Sequence, residues 1–130
     1  MIRSGTTTFC DMYLFAGDVA RAASDIGLRG AVGEVIFDFP SPNYGDQESG
    51  LAYIEEMMAT FSDDPLIRVT VDPHSVYTCS PELLAVLKEK ADRYNAPYVI
   101  HLSESRDEVD SVVGRYGRTP VDHLEHLGIL

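Results

Sequence analysis

The sequence has 130 residues, of which 45% are hydrophobic and 24% are charged, a composition typical of one globular domain that excludes a disordered or fibrous chain. Its formal net charge of -11 argues against nucleic acid and anionic membranes as partners, because phosphate groups are neutralised by Lys and Arg. The two cysteines form no CxxC pattern, and neither a leader sequence nor an apolar run of about 20 residues is visible. These features predict a cytoplasmic protein without a disulfide scaffold or a membrane span.

Strands and helices are predicted to alternate along the first half of the chain. The β-branched residues at 5–9 predict a strand, and apolar residues at helical spacing predict a helix over 17–27. Asp18 is the expected N-cap of that helix. An extended apolar run at 28–37 predicts the second strand, and an amphipathic helix is predicted over 49–61, after a loop rich in Pro, Asn and Gly.

The second half of the chain repeats this alternation. Ser80 and Pro81 form an N-cap followed by proline at the first helical position, which predicts the start of a helix. Two strands, one on each side of that helix, and two terminal helical segments are predicted at residues 66–71, 96–102, 108–116 and 119–127.

The repeated order of strand and helix predicts an α/β fold with a parallel sheet covered by helices. An open doubly wound sheet and a barrel both fit this order. No GxGxxG or GxxxxGK[ST] motif follows a strand, which disfavours an open nucleotide-binding sheet of the flavodoxin-like kind. Since a complete (β/α)8 TIM barrel takes about 250 residues, we predict that residues 1–130 form a single partial barrel domain with about four βα units.

Polar residues cluster near the carboxyl ends of the predicted strands, where both architectures bind ligands. These residues are Asp11, Glu34, Asp38, His74, His101, Ser103 and Glu104. In the segment YVIHLSE, His101 ends an apolar run and Glu104 lies three residues further on. A neutral imidazole can bind a divalent metal, and a nearby carboxylate can carry protons for an activated water. The alternative is a His101 that hydrogen-bonds a carbonyl and a Glu104 that caps the next helix.

The other histidines divide into one candidate and two structural residues. His74 follows a strand in the segment DPHSVYTCSP, where it can contact a substrate hydroxyl or carboxylate, or simply pack the loop. His123 and His126 are spaced so that they could chelate a metal from a helix. Their apolar neighbours place that helix on the outside of the fold, which favours a structural or solvated role for both.

Three segments together resemble the amidohydrolase superfamily, in particular its branch of 5-methylthioadenosine/S-adenosylhomocysteine deaminases and related chlorohydrolases. They are GTTTFCDMY at 5–13, PHSVYTCSPELL at 73–84 and HLSESRDEV at 101–109. The resemblance covers essentially the whole chain. It implies a metal-dependent hydrolase in which an activated water releases the amino group of a small-molecule heterocycle, either purine nucleoside-like or triazine-like.

The resemblance also implies a role for each candidate residue. His101 matches a ligand of the metal, Zn²⁺ or Fe²⁺, and Glu104 matches the catalytic residue that carries protons between the activated water and a ring nitrogen. His74 matches a substrate-binding residue. Many adenosine-type members have a substrate-pairing Arg near the place where this chain has Glu34, which puts a nucleoside substrate in doubt.

The family pattern includes metal ligands that this sequence does not contain. An HxH motif on the first strand, a His after the sixth and an Asp after the eighth have no counterpart here. Because a catalytic zinc takes three protein ligands, we expect residues 1–130 to be inactive alone and to be a fragment of a longer enzyme. The alternative is a catalytically inactive half-barrel that acts as a structural or interaction module. Its open edges and exposed sheet face predict a homo-oligomer.

Overall fold

The computed structural model describes residues 1–130 as a parallel sheet with helices packed on one of its faces. In chain order the elements are a 3-10 turn (Ile2–Ser4), β1 (Thr8–Tyr13), α1 (Ala16–Asp25), β2 (Arg29–Ile36), α2 (Gln47–Thr60), β3 (Ile67–Val69), β4 (Asp72–Pro73), α3 (Pro81–Arg93), α4 (Arg106–Tyr116) and α5 (Pro120–His126). Strand β2 is central: it pairs in parallel with β1 along one edge, and with β3 and then β4 along the other. No helix is long and apolar enough to cross a membrane.

The first strand lies later in the chain than the sequence predicted. It occupies Thr8–Tyr13 rather than residues 5–9, because six consecutive residues pair with β2 from Arg29 to Glu34. Tertiary pairing therefore overrides the local β-branched signal of the three threonines. As a consequence Asp11 lies inside β1 and not beyond its end, as the sequence analysis had placed it.

The two later strands are shorter than predicted. The strand expected over 66–71 is reduced to β3 (Ile67–Val69), and the short β4 (Asp72–Pro73) follows beyond the predicted range. The strand expected over 96–102 is reduced to two isolated parallel bridges, Val71 with Tyr98 and Ser75 with His101. Proline contributes to the interruption, since Pro97 has no N–H to donate to a ladder. The segment still runs beside β3 and β4, because Val71 N donates to Pro97 O at 2.9 Å and Val99 N donates to Val71 O at 3.0 Å.

The helices begin where side chains satisfy their first N–H groups. Ser80 caps α3 as predicted, its hydroxyl accepting from Leu83 N. Helix α1 differs from the prediction, since Asp18 is in its first turn and not at its N-cap. The first N–H of that helix, on Ala16, donates instead to the carboxylate of Glu34 at 2.8 Å. The carboxylate of Glu34, which is distant in sequence, therefore takes the place of a local N-cap side chain.

The apolar core lies between the sheet and its helices. Side chains alternate along a strand, so Val32 of β2 and Val69 of β3 face α1 and α2, where they pack with Met57. A second cluster, which includes Ile36, Ile54 and Leu84, fills the space beneath α2 and α3. The opposite face of the sheet carries the intervening residues. This arrangement fixes which side chains emerge at the carboxyl ends of the strands.

Candidate active site

His74 and His101 lie side by side at the carboxyl ends of the strands. His74 directly follows β4, and the N–H of His101 donates to its carbonyl oxygen at 3.0 Å. The two ring centroids are 5.3 Å apart with an interplanar angle of 81°. Glu104 follows in the same loop, with an exposed side chain. The structure therefore brings together the three residues that the sequence analysis had singled out.

Two hydroxyl groups fix the orientation of the His74 ring. Its Nδ1 lies 2.9 Å from Thr78 Oγ1 and 3.1 Å from Ser75 Oγ, and these two hydroxyls are themselves 2.7 Å apart. Burial, and next the neighbouring His101, lower the pKa of His74, whereas the carboxylate of Glu104 raises it in part. The ring is thus neutral near pH 7. Nδ1 is engaged, so Nε2 is the ring nitrogen left for a ligand.

Helix α4 is capped by Ser105 and Glu108, and not by Glu104. Ser105 is the N-cap of α4, its hydroxyl accepting from Glu108 N at 3.1 Å. The buried Glu108 carboxylate in turn accepts from Ser103 N at 3.0 Å and from Glu104 N at 2.7 Å. Ser105 and Glu108 have the S-x-x-E spacing of a capping box, but the Glu108 carboxylate bonds the two N–H groups before the N-cap and not that of Ser105 itself. The alternative in which Glu104 caps the helix is therefore wrong, and its own carboxylate stays available for chemistry.

The same loop contains a strained residue. Ser103 has a φ of 55°, in the left-handed region, which costs a residue other than glycine roughly 1 kcal/mol. The bond from Ser103 N to Glu108 helps to offset this cost. Backbone strain of this kind often accompanies functional sites. Here it turns the chain between His101 and Glu104.

Replacing Glu108 by Ala is expected to lower the free energy of unfolding by about 1–3 kcal/mol, because two partly buried backbone N–H groups lose their side-chain acceptor. Urea unfolding measures this change. Asp107→Ala is the matched control, because Asp107 is an exposed acid in the same helical turn. Equal losses for the two variants would contradict the anchoring role of Glu108.

Asp72 is a buried acid that the sequence analysis did not single out. It is 0% exposed, and neither oxygen has a hydrogen-bond partner. Its carboxylate lies against Gly33 of β2, where an added Cβ would come within 2.3 Å of Asp72 Cγ. Burial, together with the negative charge of Asp11, raises the pKa of Asp72 to about 7. The Thr70 hydroxyl is close enough to lower that pKa in part, but it does not reach hydrogen-bonding geometry.

Glu34 stabilises the fold through two hydrogen bonds. It is fully buried and accepts from Ala16 N at 2.8 Å and from Asn43 Nδ2 at 2.9 Å, so that it joins α1 to the loop after β2. Burial raises its pKa, and these hydrogen bonds lower it in part. Both oxygens of Glu34 are therefore committed to the fold. The doubt about a nucleoside substrate, which rests on the absence of an Arg at this place, stays a prediction.

The terminal histidines are not part of the site. His123 is 3% exposed and its ring stacks on Tyr116, with centroids 4.0 Å apart and an interplanar angle of 14°. His126 is exposed on α5. Both have the structural or solvated character that the sequence predicted.

The residues present can supply one metal ligand but not a complete set. No group of three His, Cys, Asp or Glu side chains is arranged to hold a metal ion. The exposed imidazole of His101, beside His74 and followed by Glu104, has the chemistry of a single ligand. A catalytic zinc takes three protein ligands and a water. His101 therefore fits such a site as one member of it.

The chain matches a known protein family and a related protein over its full length. The model of the Amidohydrolase family matches residues 1–130. The chain is 56% identical over 130 residues to a 5-methylthioadenosine/S-adenosylhomocysteine deaminase of Syntrophobacter fumaroxidans, covering 100% of this chain and 30% of that protein. It thus spans less than a third of the length of this relative.

Two solved structures share the fold. An adenosine deaminase from Xanthomonas campestris with bound zinc matches with a TM-score of 0.95 and 33% identity, over 98% of this chain and 29% of the other. A guanine deaminase from C. acetobutylicum with bound guanine matches with a TM-score of 0.80 and 24% identity, over 98% of this chain and 32% of the other. These matches confirm the predicted fold class, an α/β fold carrying part of a (β/α)8 TIM barrel.

Proposed function

The chain belongs to the Amidohydrolase family, and from this premise we propose that it forms part of the active site of a metal-dependent deaminase acting on an amino-substituted heterocycle. The observation that carries the proposal is the convergence of His74, His101 and Glu104 at the carboxyl ends of parallel strands. A relative 56% identical is named as a deaminase of 5-methylthioadenosine and S-adenosylhomocysteine, which favours a purine nucleoside-like substrate over a triazine-like one.

His101 would hold the metal, zinc in preference to iron, because the related adenosine deaminase has bound zinc. When bound, such an ion lowers the pKa of a water molecule and thereby supplies a nucleophile near neutral pH. Further ligands would come from parts of the full-length protein outside residues 1–130, since one imidazole does not complete a site.

Glu104 would move the protons of the reaction. Its carboxylate accepts a proton from the attacking water and delivers it to the ring nitrogen beside the carbon that bears the amino group. It then takes the remaining proton from the hydroxyl added to that carbon and gives it to the amino group, so that a carbonyl forms, the C–N bond breaks and ammonia leaves. His74, held neutral and in a fixed orientation, would hydrogen-bond the substrate through Nε2.

Replacing His101 by Ala in the full-length protein is expected to remove most of the bound metal, because a catalytic site of about three protein ligands loses one of them. Inductively coupled plasma mass spectrometry after dialysis without chelator measures zinc and iron per chain. His126→Ala is the control, since His126 is exposed on α5. A His101 variant with wild-type metal content would remove His101 from the ligand set.

The second candidate is a non-catalytic module that self-associates. It is favoured by the free edge of β1, which pairs only with β2 and presents unpaired backbone groups on its other side. Homo-oligomerisation would cover that edge. Ammonia release by the metal-loaded full-length protein separates the two candidates, because a structural module has no turnover. Cytoplasmic localisation stays a prediction.

A further inference from the structure

We propose that Glu108 is a positioning residue, whose carboxylate holds the loop between His101 and Glu104 in the conformation from which Glu104 carries protons. This inference rests on the proposed function, since it concerns how the proton carrier of the same site is held. Glu108 lies in the first turn of α4 and acts through the backbone of that loop, not by contact with the substrate.

The Glu108 carboxylate binds two consecutive backbone N–H groups of the loop. One oxygen accepts from Ser103 N at 3.0 Å and the other from Glu104 N at 2.7 Å, and Glu108 is only 4% exposed. Successive N–H groups converge on one acceptor when the backbone between them takes a left-handed or turn conformation. Ser103 has such a conformation, with a φ of 55°. The left-handed backbone of Ser103 and the Glu108 carboxylate therefore support each other.

The loop is fixed at both of its ends. At its start, His101 N donates to the carbonyl oxygen of His74 at 3.0 Å. At its end, Glu108 binds the N–H groups of Ser103 and Glu104. Within residues 1–130 the Glu104 carboxylate itself takes part in no hydrogen bond, so its direction depends on the backbone that carries it. The position of the proton carrier relative to the proposed metal ligand thus depends on Glu108.

Proton transfer is sensitive to a displacement of Glu104. A general acid or base works only within hydrogen-bonding reach of the proton it moves, about 2.6–3.2 Å between heavy atoms. A misplacement of about 1 Å in an active site can cost on the order of a hundredfold in rate. Without the Glu108 acceptor, Ser103 would favour a negative φ, because the left-handed region is unfavourable for a residue with a side chain. Glu104, the next residue, would move with it.

Glu108→Gln in the full-length protein tests the inference, because the amide keeps the size of the side chain but can accept from only one of the two N–H groups. We expect kcat for ammonia release from 5-methylthioadenosine to fall by about ten- to a hundredfold, and KM to stay within about twofold of the wild type. KM is spared because His74 is oriented by a different loop. Asp107→Asn controls for the loss of a charge in the same turn, and Ser105→Ala controls for the loss of the helix cap. Both controls should keep a kcat close to that of the wild type.

A double-mutant cycle with Glu104→Gln separates positioning from a general structural effect. Because Glu108 acts through Glu104, Glu108→Gln should lower kcat no further once residue 104 can no longer carry protons. The double variant should therefore have the kcat of Glu104→Gln alone, whereas a general structural effect would lower kcat by the same factor in both backgrounds. An equal fall in both backgrounds, or a fall in Ser105→Ala as large as that in Glu108→Gln, would overturn the inference.

Amide hydrogen exchange provides a second measurement, one that needs no turnover. Mass spectrometry of the segment 101–109 follows the N–H groups of Ser103 and Glu104. Exchange should be faster in Glu108→Gln, because one of these groups loses its acceptor, and should be unchanged in Asp107→Asn. Unchanged exchange in Glu108→Gln would overturn the positioning role, whatever the activity of the variant.

Failure of the inference and failure of the proposed function are distinguishable. A wild-type protein that releases no ammonia rejects the deaminase, while faster exchange in Glu108→Gln would still retain Glu108 as the residue that holds this loop. Wild-type turnover that Glu108→Gln leaves unchanged retains the deaminase and rejects the positioning. Circular dichroism establishes that each variant is folded. Glu108→Asp takes the place of a Gln variant that does not fold, because its carboxylate, shorter by one methylene, no longer reaches both N–H groups.

Discussion

Replacing Glu104 by Gln is expected to lower the proposed deaminase turnover of the full-length protein by at least about a hundredfold, which is the low end for the loss of acid–base catalysis. The amide has nearly the shape of the carboxylate but cannot accept a proton from water or return it to a ring nitrogen. The substitution should therefore change kcat far more than KM. Steady-state ammonia release with 5-methylthioadenosine as substrate measures both constants.

The structure makes this experiment easy to interpret. Capping of α4 is performed by Ser105 and Glu108, so the exposed Glu104 side chain has no evident part in stability. The Gln variant should keep the wild-type melting temperature. Glu125→Gln, at an exposed position on α5, controls for the loss of one negative charge. Near-native turnover of the Glu104 variant would show that another group carries the protons.

Much of the fold could be predicted because it depends on local patterns. The alternation of strands and amphipathic helices, and the Ser80–Pro81 start of α3, follow from periodicity and capping chemistry. Strand limits were less predictable, because β1 is defined by its pairing with β2 and not by its own composition. The segment at 96–102 has a strand-like sequence, yet only two bridges form beside β3 and β4.

The candidate site likewise contains residues that could be predicted from the sequence and others that could not. His74, His101 and Glu104 could be grouped from sequence because parallel strands end at a common edge. The role of Glu108 was missed, although the S-x-x-E spacing from Ser105 to Glu108 is a recognisable capping signal. The burial of Asp72 gave no local signal at all. It depends on Gly33, a residue on the neighbouring strand that offers no side chain in the way.

Burial of Asp72 is expected to make the stability of the protein depend strongly on pH. Burial raises the pKa of Asp72 from an ordinary value of 3.8 to about 7. A raised folded-state pKa contributes stability that is fully present below about pH 4 and is lost as the pH rises through about 7, because the unfolded chain releases the proton first. A shift of about three units corresponds to about 4 kcal/mol. The free energy of unfolding should therefore fall by up to this amount between about pH 4 and pH 8.

Asp72→Asn is expected to abolish this dependence, because the amide has the size of the neutral acid and does not ionise. At pH 8 the Asn variant should be more stable than the wild type by about 2–4 kcal/mol, whereas near pH 4 the two should be nearly equal. Urea unfolding at both pH values measures the difference. Asp63→Asn, at an exposed position before β3, controls for the loss of a surface charge. Parallel pH profiles for the wild type and the Asp72 variant would mean that Asp72 ionises at an ordinary pKa in the folded protein. The measurement thus separates a buried acid that is held neutral from one that is ionised without a cost in stability.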